Sequence, residues 1–181
     1  MLMKCVFFFT YETVTNPRTL VDIIYEVKKD GQIDVIVRYH GKENLLELPV
    51  FGIRFVMPTV ADGYVYKGLW GETYPDRKVG AEEGVYQIDD MSLTPYLVPQ
   101  EYGMRMDTDW VEIYRSASLD NSRNDDAVRM LRIQKRENKF SFSCLPYTAS
   151  EIETATHHEE LPPARRTVLC VYGAVRRHWR N

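Results

Sequence analysis

Leu20-Val21-Asp22-Ile23-Ile24-Tyr25-Glu26-Val27-Lys28 and Gln32-Ile33-Asp34-Val35-Ile36-Val37-Arg38-Tyr39, joined by Lys29-Asp30-Gly31, read as a β-hairpin. In the second run Ile33, Val35, Val37 and Tyr39 point to one side, while Gln32, Asp34 and Arg38 point to the other. That two-residue period belongs to a half-buried strand. The first run is rich in β-branched residues, and Asp-Gly tolerates the positive φ of a tight turn, so a β-meander is the simplest reading. Cys5 to Phe9, behind Lys4, reads as a buried strand, because it is too short for a signal-peptide core and runs straight into Tyr11-Glu12.

The same punctuation continues along the chain. Val50 to Met57, Tyr64 to Leu69, Trp110 to Ser116, Ala127 to Gln134, Lys139 to Leu145 and Thr167 to Val175 are strand candidates separated by Pro, Gly, Asn and Asp clusters. Many short strands imply an all-β, mainly antiparallel sandwich. One helix is expected over Ser150 to Glu160, where Ser150 and Glu153 have capping-box spacing and Pro162-Pro163 forms a stop. Glu72 to Asp90 and Ser116 to Asp126 read as polar loops. With 181 residues, 44% of them hydrophobic, and no linker or internal repeat, the expectation is a single β-sandwich domain over residues 1–181.

Charge and cysteine content narrow the function. A net charge of −3, from 23 basic and 26 acidic residues, gives no positive field to attract phosphate backbones, so nucleic acid is not an expected partner. Cys5, Cys144 and Cys170 are odd in number and widely spaced, which suits small buried apolar residues better than a disulfide framework or a zinc site. No stretch has the length to span a bilayer, so a soluble, cytoplasmic protein is expected.

Two proline-bracketed motifs stand out: Gly68-Leu69-Trp70-Gly71-Glu72-Thr73-Tyr74-Pro75-Asp76-Arg77, and Thr94-Pro95-Tyr96-Leu97-Val98-Pro99-Gln100-Glu101 running into Gly103-Met104-Arg105. Asp109-Trp110, Phe140-Ser141-Phe142-Ser143 and Tyr147-Thr148-Ala149-Ser150-Glu151 follow, with His157 and Leu161 behind them. Several motifs in one order are far more specific than one short match. In that order they resemble the C-terminal domain, the small-chain region, of bacterial β-galactosidases of the glycoside hydrolase 2 type, over roughly Val27 to Tyr172.

The resemblance implies a galactose-mutarotase-like supersandwich, here incomplete, with one short helix. It further implies a noncatalytic role: the paired glutamates and the metal ligands of these enzymes sit on a separate (β/α)8 barrel. Neither a catalytic residue nor a metal site is therefore assigned to this chain, and Mg²⁺ and Na⁺ are expected only for the complete parent enzyme. The implied partners are the catalytic barrel portion and galactosides, and an incomplete sandwich is expected to self-associate through whatever face it leaves uncovered.

Candidate substrate-binding residues are Trp70, Tyr74, Arg77, Glu101, Arg105 and His157. Trp70, Tyr74 and Arg77 combine aromatic faces with a fork of donors, the chemistry of sugar recognition. The competing reading is loop architecture, with Pro75 fixing the backbone and Asp76 beside Arg77. Glu101 and Arg105 flank Gly103, either as a buried pair or as a cleft lining. His157 matches the family's helix histidine, a structural hydrogen-bonding residue, and its i, i+3 spacing to Glu160 supplies only two ligands, too few for a metal site. After Val171-Tyr172-Gly173 the family continues through glycines to a tryptophan that stacks on galactose; here Trp179 comes too early and lacks them, so that role is not carried over. An independent carbohydrate-binding or aldose-mutarotase-like protein is the alternative, requiring a convergent His, Glu and Arg set.

Overall fold

The computed structural model describes residues 4–43, 45, 48, 50–91, 93, 102–117, 119 and 127–175. The chain forms two compact units, Met1–Glu47 and Leu48–Asn181.

The first unit is the expected meander: β1 (Cys5–Glu12), β2 (Leu20–Val27) and β3 (Ile33–His40), antiparallel in the order β1-β2-β3. Gly31 takes φ +83° in the turn between β2 and β3, and the Asp30 carboxylate accepts a bond from the Gln32 amide at 3.0 Å. The register aligns Phe7 with Tyr25 and Tyr25 with Val35, and Phe9 with Ile23 and Ile23 with Val37. Since cross-strand partners share a face, one face carries Cys5, Phe7, Phe9, Tyr11, Val21, Ile23, Tyr25, Val27, Ile33, Val35, Val37 and Tyr39. The other face holds the charges. There Lys4 pairs with Glu26 at 2.9 Å, Lys28 with Asp34 at 3.0 Å, and Asp22 accepts from Thr10 at 2.8 Å while contacting His40 at 2.6 Å.

Expectation and structure part over burial. β1 is a strand as expected, but every one of its positions is exposed, and Cys5 with it. The unit is a single layer, so nothing within it covers either face.

The second unit contains eight strands: β4 (Val50–Met57), β5 (Gly63–Leu69), β6 (Glu83–Ile88), β7 (Arg105–Thr108), β8 (Trp110–Arg115), β9 (Arg129–Gln134), β10 (Phe140–Leu145) and β11 (Thr167–Val175). They form two antiparallel four-stranded sheets, ordered β4-β11-β10-β7 and β6-β5-β8-β9. Inward residues of both sheets share one core, in which Tyr66, Val111, Ile113, Phe142 and Leu169 are fully buried. Tyr64 and Tyr66 meet the Phe142 ring edge-on at 5.6 and 5.5 Å, a geometry worth about 0.5–1.5 kcal/mol per pair beyond area burial. Buried polar groups are satisfied as the chain passes between layers: Thr167 Oγ1 donates to the Thr59 carbonyl at 2.9 Å and accepts from the Ala61 amide at 2.7 Å. Cys144 lies in this core, where burial pushes its thiol up to about 12, and Cys170 is half-buried.

Two elements escaped the reading of the sequence. β6 lies inside the expected Glu72–Asp90 loop, and β7 precedes the expected Trp110 strand; both strands are short and flanked by turn residues. The helix differs as well, since α1 spans only Ala149–Thr154 and is capped by Thr148. The capping box is Thr148 with Glu151, not Ser150 with Glu153: Glu151 Oε2 accepts from the Thr148 amide at 2.8 Å, and Thr148 Oγ1 accepts from the Glu151 amide at 3.3 Å. The helix stops at Ala155, which is extended. Glu160 Oε2 then draws in the Thr156 amide at 2.6 Å and starts a separate 3-10 turn, His158–Glu160. Local side-chain bonds to backbone outcompete helix continuation there.

Candidate functional site

The first motif follows β5 and is pinned from both ends. Gly68 lets β7 come close: a Cβ there would lie 2.9 Å from Thr108 Oγ1 and 3.1 Å from the Met106 carbonyl. The Trp70 amide donates to the Glu82 carbonyl at 2.9 Å, and Gly71 turns the chain at φ +73°. Thr73 is buried and bonds the chain on either side of Arg105: its amide donates to the Met104 carbonyl at 3.0 Å, and its Oγ1 accepts from the Met106 amide at 2.9 Å. The Arg77 amide then donates to the Tyr74 carbonyl at 2.9 Å, closing the turn over Pro75 and Asp76.

These bonds sort the candidate residues. Tyr74 is buried against Met104 and Met106, and its hydroxyl donates to Glu72 at 3.1 Å. Burial first, and the Glu72 carboxylate second, hold that phenol protonated well above its ordinary range. Arg105 is buried too, with its guanidinium carbon 5.9 Å from the centre of the Tyr66 ring, a cation–π arrangement. Its Nε and Nη1 have no hydrogen-bond partner among the described residues. Burial pushes the neighbouring Tyr64 phenol up to about 12, with Arg105 pulling the other way.

Trp70, in contrast, is 64% exposed and stands edge-on to Tyr86 at 6.4 Å. The Tyr86 hydroxyl donates to the Glu82 carbonyl at 2.9 Å, which fixes the ring that supports Trp70. Arg77 and His157 are exposed, and His157 sits past the helix, at the start of the 3-10 turn. Its amide donates to Glu160 at 3.4 Å, so Glu160 is occupied by backbone. Glu101, the Thr94 to Gln100 part of the second motif, most of the Ser116–Asp126 loop and Trp179 lie outside the described residues. Trp70 and Tyr74 thus belong to one turn but face opposite ways, one to solvent and one to the core.

Spacing hinted at a second charged cluster near β7. Asp107 adopts φ +50°, rare for a residue with a Cβ, and pairs with Lys78 at 3.0 Å. Asp109 contacts Lys67 at 3.0 Å and Lys135 at 2.6 Å, and its hydrogen bonds to Lys135 and then Lys67 lower its pKa to about 2. Both carboxylates are held as anions by lysines, an arrangement suited to structure and not to proton donation. Among the described residues no group of three or more His, Cys, Asp or Glu side chains is placed to hold a metal ion, and no helix is long and apolar enough to cross a membrane.

Comparison with known proteins places this architecture. The family described as beta galactosidase small chain matches residues 3–176. A beta-galactosidase small subunit from Latilactobacillus sakei is 52% identical over 168 residues, covering 93% of this chain and 53% of that protein. Beta-galactosidase BgaC from Bifidobacterium adolescentis is 33% identical over 174 residues, 92% of this chain but 15% of that protein. The beta-galactosidase of Lactobacillus delbrueckii subsp. bulgaricus is 33% identical over 141 residues, 77% of this chain and 13% of that protein. The chain therefore spans about half of the small subunit and a much smaller share of the two longer enzymes. With the match running through almost all of its length, this chain belongs to the beta-galactosidase small-chain family.

Proposed function

We propose that the chain is a noncatalytic component of a β-galactosidase of the glycoside hydrolase 2 type, which buttresses a catalytic barrel and helps to form its galactoside-binding site. The observation that carries this reading is the inward locking of the first motif. Thr73 and Tyr74 are built into the core and Arg105 lies buried on Tyr66, so these residues set the shape of a supporting surface. In this reading the catalytic carboxylates, and the Mg²⁺ and Na⁺ of a complete enzyme, reside on the barrel portion, in the same or a separate polypeptide. The parent enzyme hydrolyses terminal β-galactosides in cytoplasmic carbohydrate catabolism. Without its catalytic partner the chain associates with a copy of itself.

Hydrolysis of a chromogenic β-galactoside by the purified chain, alone and mixed with a barrel-containing fragment, tests this. Turnover only in the mixture is expected. Turnover by the chain alone would sink the reading, because it demands an acid pair not assigned here.

One observation favours a second reading, independent carbohydrate binding. Trp70 presents an open indole braced by Tyr86, the kind of flat surface on which sugar C–H groups stack. Titrating the isolated chain with galactose separates the two: saturable binding abolished in Trp70→Ala supports the second reading, and no binding supports the first.

A further inference from the structure

We infer that the apolar face of the β1-β2-β3 meander is the surface through which two copies of this chain associate, stacked sheet on sheet about a two-fold axis. The inference rests on the self-association reading above and adds where the contact lies and how it is made. All twelve positions of that face, from Cys5 in β1 to Tyr39 in β3, are uncharged and apolar or aromatic. Phe7, Phe9, Tyr11, Ile33 and Val35 on it are 38–53% exposed. Phe9 stacks with Tyr11 at 6.5 Å and meets Tyr25 edge-on at 6.2 Å, which gives the face a fixed aromatic relief.

The opposite face is built for water. Asp22, Glu26, Asp34, Arg38 and His40 lie on it, several of them in ion pairs across the strands. The meander is therefore amphipathic, and a three-stranded sheet needs its apolar face packed against another layer to be stable.

Why a second copy fits follows from charge and size. A two-fold contact brings the same patch together from both sides, so any charge on it would meet its own kind; here there is none to do so. Three strands of eight residues cover about 26 Å by 14 Å. Allowing for side-chain relief, two such faces remove on the order of 1,000 Å² from water, the size at which specific interfaces begin. Sheets stacked in this way sit about 10 Å apart, a distance that Phe, Tyr and Val side chains fill.

Sedimentation velocity of the full chain across a hundredfold concentration range tests the inference. A dimer is expected, with dissociation becoming at least about 100-fold easier in Val35→Lys, because two ammonium groups would be trapped in an apolar contact. Tyr11→Lys, on β1 of the same face, should act alike and decides the matter if Val35→Lys unfolds by circular dichroism. Arg38→Glu, on the other face of β3, should leave the dimer intact. A chain monomeric throughout overturns both the self-association reading and this face. A dimer that ignores Val35→Lys and Tyr11→Lys overturns the face alone. A monomer whose Val35→Lys variant no longer complements the catalytic fragment would assign the face to that partner and not to a second copy.

Discussion

Phe142 in β10 and Phe9 in β1 are the same side chain in the same kind of strand, yet Phe142 is fully buried and Phe9 is 45% exposed. The difference lies in layers. Sheet β4-β11-β10-β7 has a second four-stranded sheet against its apolar face, and the two share one core. The meander has the same alternation and a tight turn, but it is one layer. Alternation says which residues want to be covered; it does not say by what.

Substitutions sharpen this contrast, beginning with the largest effect. Phe142→Ala should cost the second unit about 3–5 kcal/mol in a urea titration, since the ring meets both Tyr64 and Tyr66 and leaves a void. If it costs no more than Phe8→Ala, where the ring is 58% exposed, the two-layer account of the core is wrong. Thr73→Val should come next, at about 1–3 kcal/mol, because it leaves the Met106 amide buried without its acceptor. An unchanged denaturation midpoint would show that the turn is not anchored through that hydroxyl.

The capping box offers a smaller, pH-dependent effect. Arg166 first, and the Thr148 amide second, bring the Glu151 pKa from 4.5 down to about 2. A carboxylate with a depressed folded-state pKa contributes stability that is present above about pH 4.5 and lost as pH falls through about 2. Glu151→Gln should therefore lower stability by about 1 kcal/mol at neutral pH. The gap to the parent protein should close on acidification, and a gap constant down to pH 2 would count against the cap. Smallest of all is Trp70→Ala, expected to change thermal stability by less than about 0.5 kcal/mol because the ring is largely in water. A large loss would mean that the Tyr86 contact is part of the core and not a platform.

Legibility followed the range of the interaction involved. The register of β2 and β3 was readable because the alternation and the Asp30-Gly31 turn are local. The helix boundary was misread because Ser150 with Glu153 and Thr148 with Glu151 have the same spacing; only the backbone conformation at Thr148, and Arg166 arriving from fifteen residues away, select the second pair. β6 was hidden in a polar loop, since Glu83-Gly84-Val85-Tyr86-Gln87-Ile88 becomes a strand by pairing with β5. The candidate residues show the same limit. Tyr74 and Trp70 are four positions apart, and nothing in their order tells that one enters the core with Met104 while the other faces solvent.

What the sequence determined by itself is the strand content, the antiparallel hairpins and, through motif order, the family. Each depends on patterns within a strand or a turn, where residue type alone sets backbone preference and the inward side. Tertiary structure alone decided which inward faces are covered, which Thr-Glu pair caps the helix and where Arg105 comes to rest. Burial is a property of what packs on a side chain, and that partner comes from another part of the fold.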